Sequence, residues 1–251
     1  MTGTGVAEKT AWIRVGDFFF KYRNVAFPVI LVVLFVAFRT PDRYFGKESL
    51  EAWKDLLAVA ITVAGLALRA AVIGFAYIKR GGLDKKVYAE DLVTRGFFGV
   101  CRNPLYLGNM LIYAGVFLMH GNPWVFVVGT LSYFLIYESI IAAEEFFLRG
   151  KFGAGYEEYC RDVPRWIPSP GKLAEATEGM RFNVKRVVLK DYPTIANACV
   201  ALLLLQLLET YENRSMEAFQ ADLASYGSAL VAILLVAAAI AVAKKRKWLH
   251  L

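Results

Sequence analysis

The run at residues 223–243 contains neither an acid nor a base. A helix needs roughly 20 mostly apolar residues to cross the hydrocarbon core of a bilayer, and an uncharged run of this length suits a membrane span. Residues 103–137 are also free of acids and bases, but His120-Gly121-Asn122-Pro123 interrupts them. A Gly/Asn/Pro cluster reads as a turn, so the stretch divides into two spans joined as a tight hairpin. Shorter apolar runs at 25–38 and 194–208 extend through tolerable flanks, while 56–78 is long enough but contains Arg69. The pattern predicts an all-α, polytopic membrane protein with about six transmembrane helices. Hydrophobic residues make up 57% of the chain, which makes a soluble helical protein the weaker reading.

Lys and Arg set the orientation. With a cytoplasmic N-terminus, the inside segments are 1–24, 79–104, 148–193 and 244–251, and they hold 23 of the 29 basic residues. Among these are Lys79, Arg80, Lys85, Lys86, Arg95, Arg102 and the tail Lys244-Lys245-Arg246-Lys247. The outside segments hold Arg39, Arg43, Lys47, Lys54 and Arg214. Both termini are therefore expected in the cytoplasm. The net charge of +7 is mostly a topology signal with some attraction to anionic lipid heads. It does not point to nucleic acid, because no reading motif accompanies it.

Cys101, Cys160 and Cys199 are widely spaced, so neither a disulfide framework nor a metal-ligand spacing is implied. The first span has no small-residue cleavage site after it and reads as an anchor. The expected organisation is a four-span core over 1–168, a cytoplasmic connector over 169–193, and two C-terminal spans with a basic tail over 194–251. Those last spans are nearly featureless Leu/Ala/Val, which suits a scaffold or homo-oligomer contacts. His120 is expected at the outer interface, and Trp53, Trp124 and Trp248 in the aromatic belts.

Chemistry is expected where polar groups enter the membrane at a cost. Arg69 lies inside a span, where an arginine costs about 2.5–3.5 kcal/mol on insertion scales. It either faces a cavity or an acidic partner, or snorkels to the cytoplasmic end. The second place is Thr94 to Asn109, where Asn103 and Pro104 suit the N-cap and first turn of a helix. Arg102 beside that helix start makes a site for a carboxylate or phosphate, against the plainer reading of a capped helix after a basic loop. Gly96 and Gly99 there permit close backbone approach. The third place is Tyr137-Glu138 to Glu144-Glu145. Glu138 and Glu145 share a helix face, and Glu144 and Glu145 lie where the helix dipole disfavours acids. These carboxylates suit a cation, a ribose diol or an ammonium, or else a solvated helix end.

Taken in order, Arg102-Asn-Pro-Leu-Tyr106-Leu-Gly108, then Glu144-Glu145-x-x-Leu148, then Phe152-Gly153-x-x-Tyr156-x-x-Tyr159 resemble the membrane methyltransferase superfamily. Isoprenylcysteine carboxyl methyltransferase and phosphatidylethanolamine N-methyltransferase are its best-known members. The resemblance extends to Gly65, Arg69, Gly74, Thr94-x-Gly96 and Val163-Pro164, and covers about residues 60–168.

The resemblance implies S-adenosylmethionine as donor, bound at the cytoplasmic ends of the spans, and a lipid or lipidated acceptor entering from the bilayer. It implies donor contacts from Arg102, Asn103, Tyr106, Gly108, Glu144 and Glu145; the catalytic candidates are Glu138 and Arg69, the polar groups placed deeper in the spans. Arg102 suits the donor carboxylate, Glu144 or Glu145 the ammonium or ribose, and Tyr106 the adenine or sulfonium. The acceptor branch is mixed. Asn103 replaces the histidine of the isoprenylcysteine branch, and no arginine stands between Asn103 and Glu145. Glu138 inclines the acceptor toward an amine-bearing head group. Glu138→Gln is then expected to abolish turnover and leave donor binding nearly unchanged. The competing classes are an NADPH-dependent sterol-type reductase and a non-enzymatic transporter or scaffold.

Overall fold

The computed structural model describes residues 8–42, 48–75, 87 and 89–248. Arg43, Lys47, Lys79, Arg80, Lys85 and Lys86, counted above for orientation, lie outside the described residues. Every regular element among those described is helical. The elements are α1 (Ala11–Ala37), α2 (Glu48–Phe75), the short α3 (Phe97–Val100), α4 (Pro104–His120), α5 (Pro123–Phe152), α6 (Ala154–Asp162), α7 (Val184–Asn213) and α8 (Met216–Lys245).

Five helices (α1, α2 from Leu50, α5, α7 and α8) are long and apolar enough to cross a membrane. The sixth expected span is α4, an apolar helix of 17 residues, about 25 Å long against a core of ~30 Å. The chain is an integral membrane protein. The expected hairpin is present: α4 ends at Gly121 in the left-handed region (φ 80°), and α5 starts at Pro123 with Asn122 as N-cap.

Two boundaries differ from the expectation, for the same reason. The first span begins at Ala11, not near Val25, because Gly16, Phe20, Phe27 and Leu34 recur at helical spacing and pack on α5. Thr10 caps that helix by accepting from the Ile13 N–H. Likewise α7 starts at Val184, inside the expected connector, with the Asn183 side chain accepting from the Arg186 N–H at 2.8 Å. Its buried face (Val187, Leu189, Asp191, Ala198, Leu205) packs on α2 and α4. Only α8 is peripheral: it has no buried residue and packs along α7.

The centre of the bundle is the α2–α4 crossing. A Cβ added at Gly108 would lie 2.6 Å from Cγ of Arg69 and 3.0 Å from the Gly65 carbonyl oxygen, so only glycine allows this approach. At the Gly121 end, His120 is buried within the protein, with its ring stacked on Phe35 at 5.0 Å. Lys54 covers the same turn, its ammonium donating to the Met119 carbonyl at 3.2 Å.

Candidate active site

The polar groups singled out in the sequence gather in two separate places. The first is inside the bundle, where Arg69 of α2 meets Asp191 of α7. The guanidinium holds that carboxylate through both Nε (3.1 Å) and Nη2, and Nη2 also donates to Thr194 at 3.2 Å. Nη1 donates to Asn109 Oδ1 at 2.6 Å. Arg69 therefore takes the acidic-partner option left open above, not the snorkelling one. The pair is a bidentate, multiply hydrogen-bonded ion pair, the arrangement a buried charge requires. Gly108, expected at the donor, packs against Arg69 in this same knot and is not brought to the second cluster.

The second place is the start of α4. A segment after α6 runs beside the α3–α4 link and is tied to it: the Arg102 N–H donates to the Pro164 carbonyl at 2.9 Å, and that of Ser169 to the Val100 carbonyl at 3.0 Å. Asn103 does not cap α4 with its side chain. Its Nδ2 donates instead to the Arg165 carbonyl at 3.0 Å. The Tyr159 hydroxyl donates to the Phe98 carbonyl at 2.8 Å. Burial pushes the ionisation of Tyr159, Tyr156 and the Cys101 thiol upward, so these groups stay neutral and serve the scaffold.

This frame presents three arginines to one acid. Glu145, largely buried on α5, accepts from Arg102 Nη1 at 3.1 Å and Arg165 Nε at 3.0 Å on one oxygen, and from Arg149 Nη1 at 3.4 Å on the other. Arg102 Nη1 also lies 2.8 Å from Cys160 Sγ. The Nε of Arg102 is buried and has no partner, which marks a donor left over in the protein's own bonding. Beside it, the Tyr106 hydroxyl donates to Glu144 at 3.0 Å. Two helical turns along α5, Glu138 accepts from Arg165 Nη1 at 2.7 Å and from the Trp166 indole N–H. Thus Arg102, Asn103, Tyr106, Glu138, Glu144 and Glu145 come together, while Arg69 and Gly108 lie in the separate knot.

Arg165, Trp166 and Asp191 were missed in the sequence. Arg165 directly follows the Val163-Pro164 motif, and its position was the available signal. Asp191 directly follows Lys190 in a basic stretch, and no local signal singled it out. Among the described residues, no group of three or more His, Cys, Asp or Glu side chains could hold a metal ion.

The profile of the phospholipid methyltransferase family matches residues 56–155. A probable protein-S-isoprenylcysteine O-methyltransferase of Oryza sativa subsp. indica is 36% identical over 33% of this chain and 45% of its own length. The chain thus spans less than half the length of that relative. The cobalt-zinc-cadmium resistance protein CzcN of Cupriavidus metallidurans is 32% identical over 52% of this chain and 68% of its own. The mouse protein-S-isoprenylcysteine O-methyltransferase is 24% identical over 61% and 54%. No solved structure matches the chain. The matched region contains α4, α5 and most of the residues of the second cluster, and by these likenesses the chain belongs to the integral membrane methyltransferase superfamily of the isoprenylcysteine and phospholipid enzymes.

Proposed function

We propose that the chain carries out S-adenosylmethionine-dependent methyl transfer to a lipid-like acceptor, a phospholipid amine or a prenylated group, at the cytoplasmic membrane face. The observation that carries this reading is the unpartnered, buried Nε of Arg102 beside the carboxylate of Glu145. A spare cationic donor next to a buried acid suits the zwitterion of an amino-acid group, and the donor ends in one. Arg102 would take its carboxylate by a charge-assisted hydrogen bond, and Glu145 its ammonium. Glu144, which accepts from Tyr106 and lies near Arg23 of α1, would take a ribose hydroxyl. Asn103 acts at one remove, fixing the Arg165 segment against the start of α4.

The chemistry supplied by S-adenosylmethionine when bound is an activated methyl group. The residues here bind, orient and exclude water, which is most of what a direct displacement asks of a protein. Glu138, Arg165 and Trp166 form the adjoining polar patch, where an acceptor head group would lie. An ammonium head would be drawn to Glu138 and a carboxylate to Arg165. The shortness of α4 supports this placement. With Gly121 at one surface, its start is recessed by roughly 5 Å from the other, within reach of a lipid-borne group. The cytoplasmic assignment rests on the excess of Lys and Arg on that side.

The test incubates membranes holding the full chain with methyl-labelled S-adenosylmethionine and a farnesylated cysteine peptide. Label in a phospholipid amine or in the peptide supports the reading. No transfer to either, with NADPH binding in its place, overturns it in favour of a reductase.

A further inference from the structure

We infer that Arg165 couples the donor and acceptor halves of the site, an inference that rests on the function proposed above. One guanidinium spans two acids of α5: Nε donates to Glu145 Oε1 at 3.0 Å, and Nη1 to Glu138 Oε2 at 2.7 Å. Its Oε1 already accepts from two arginines, since Arg102 also reaches it. A ligand ammonium settling on that oxygen, the one beside Arg102, displaces one of the two.

The displaced cation is Arg165. Arg102 is held more deeply: its side chain is 14% exposed against 30% for Arg165, and its Nη1 also contacts Cys160. Arg149 is the most exposed of the three and is anchored by Glu157 at 2.8 Å, but it reaches only the other oxygen, at 3.4 Å, so its departure does not free Oε1. Arg165 alone has its second acid inside the site, so its side chain turns wholly onto Glu138 without leaving a charge unpaired. Its backbone stays in place, because the Arg165 carbonyl accepts from Asn103 Nδ2. Donor occupancy is thereby transmitted to the acceptor patch: Glu138 goes from sharing Arg165 to holding it entirely. Arg165 is a positioning residue, and Glu138 is its resting place when the donor is bound. The expectation that Glu138→Gln leaves donor binding unchanged is reversed.

The experiment is a double-mutant cycle. Calorimetry on the detergent-solubilised full chain measures S-adenosylhomocysteine binding to the wild type, Glu138→Gln, Arg165→Met and the double variant, with thermal unfolding to verify each fold. Glu138→Gln should weaken binding by about fivefold or more, the size typical of contacting pairs, because Arg165 is left competing for Glu145. In the Arg165→Met background the same change should alter affinity less than about twofold. Arg165→Met alone should bind at least as tightly as the wild type, whereas a residue that merely braced the site would weaken binding when lost. Equal effects of Glu138→Gln in both backgrounds, or weaker binding by folded Arg165→Met, overturns the coupling while the donor site stands. Absence of binding to the wild type removes the donor reading, and the coupling with it.

Discussion

Arg69 and Arg102 each meet a buried carboxylate, yet the two pairs are built to opposite ends. Arg69 is closed: both oxygens of Asp191 are taken, Thr194 also accepts from Nη2 and Asn109 from the remaining Nη1, and Gly65 and Gly108 bring α2 and α4 tightly around it. Arg102 is open: it shares Glu145 with two other arginines and keeps a buried Nε with no partner. A saturated pair in an apolar surround fixes helices in register, whereas an unsaturated one retains affinity for a ligand. By that measure Arg102, with its unfilled donor, is the candidate for a ligand, and Arg69 the one that ties helices together.

The largest effect should come from breaking the closed pair. Asp191→Ala leaves Arg69 buried without its acid, which should cost about 3–5 kcal/mol. The detergent-purified variant should lose its monodisperse elution profile on size exclusion. A variant that elutes and melts like the wild type would mean that Arg69 finds water or another acid, and the contrast with Arg102 would weaken. A smaller effect should follow from Gly108→Val, which forces side-chain atoms into Arg69 and the Gly65 carbonyl. Overpacking of this kind costs typically about 1–3 kcal/mol, read as a lowered unfolding temperature. Unchanged stability would show that the crossing has room to spare. The smallest effect belongs to the open site. Tyr106→Phe deletes one hydrogen bond to Glu144, worth about 1 kcal/mol net, and should weaken S-adenosylhomocysteine binding severalfold without lowering the melting temperature. A stability loss with unaltered binding would place Tyr106 with the packing residues.

Much of this was legible because membrane insertion imposes simple rules. Run length gave the helices, and His120-Gly121-Asn122-Pro123 gave the turn. The ordered Arg102, Tyr106 and Glu144-Glu145 positions pointed to residues that do come together. What stayed hidden depends on tertiary proximity. Nothing local ties Asp191 to Arg69, which is 122 residues away, and a connector with basic residues looks like a loop until its buried face meets α2. Arg165 follows a recognisable motif, but its contacts with Glu138 and Glu145 depend on the segment after α6 folding back over α5. The packing of Gly108 on Arg69 was not legible, because a glycine inside a motif reads equally well as room for a ligand or for a neighbouring helix. The burial of His120 against Phe35 was likewise beyond local reading.

A calorimetric titration of S-adenosylhomocysteine into the purified full chain, beside Arg102→Ala, tests the central claim that the open arginine holds the donor. The account predicts micromolar binding by the wild type, on the order of −8 kcal/mol. Arg102→Ala should lose about tenfold or more, roughly 1.4 kcal/mol, with an unfolding temperature close to that of the wild type. Equal affinity of the two proteins for the nucleotide, with Arg102→Ala properly folded, would contradict the account.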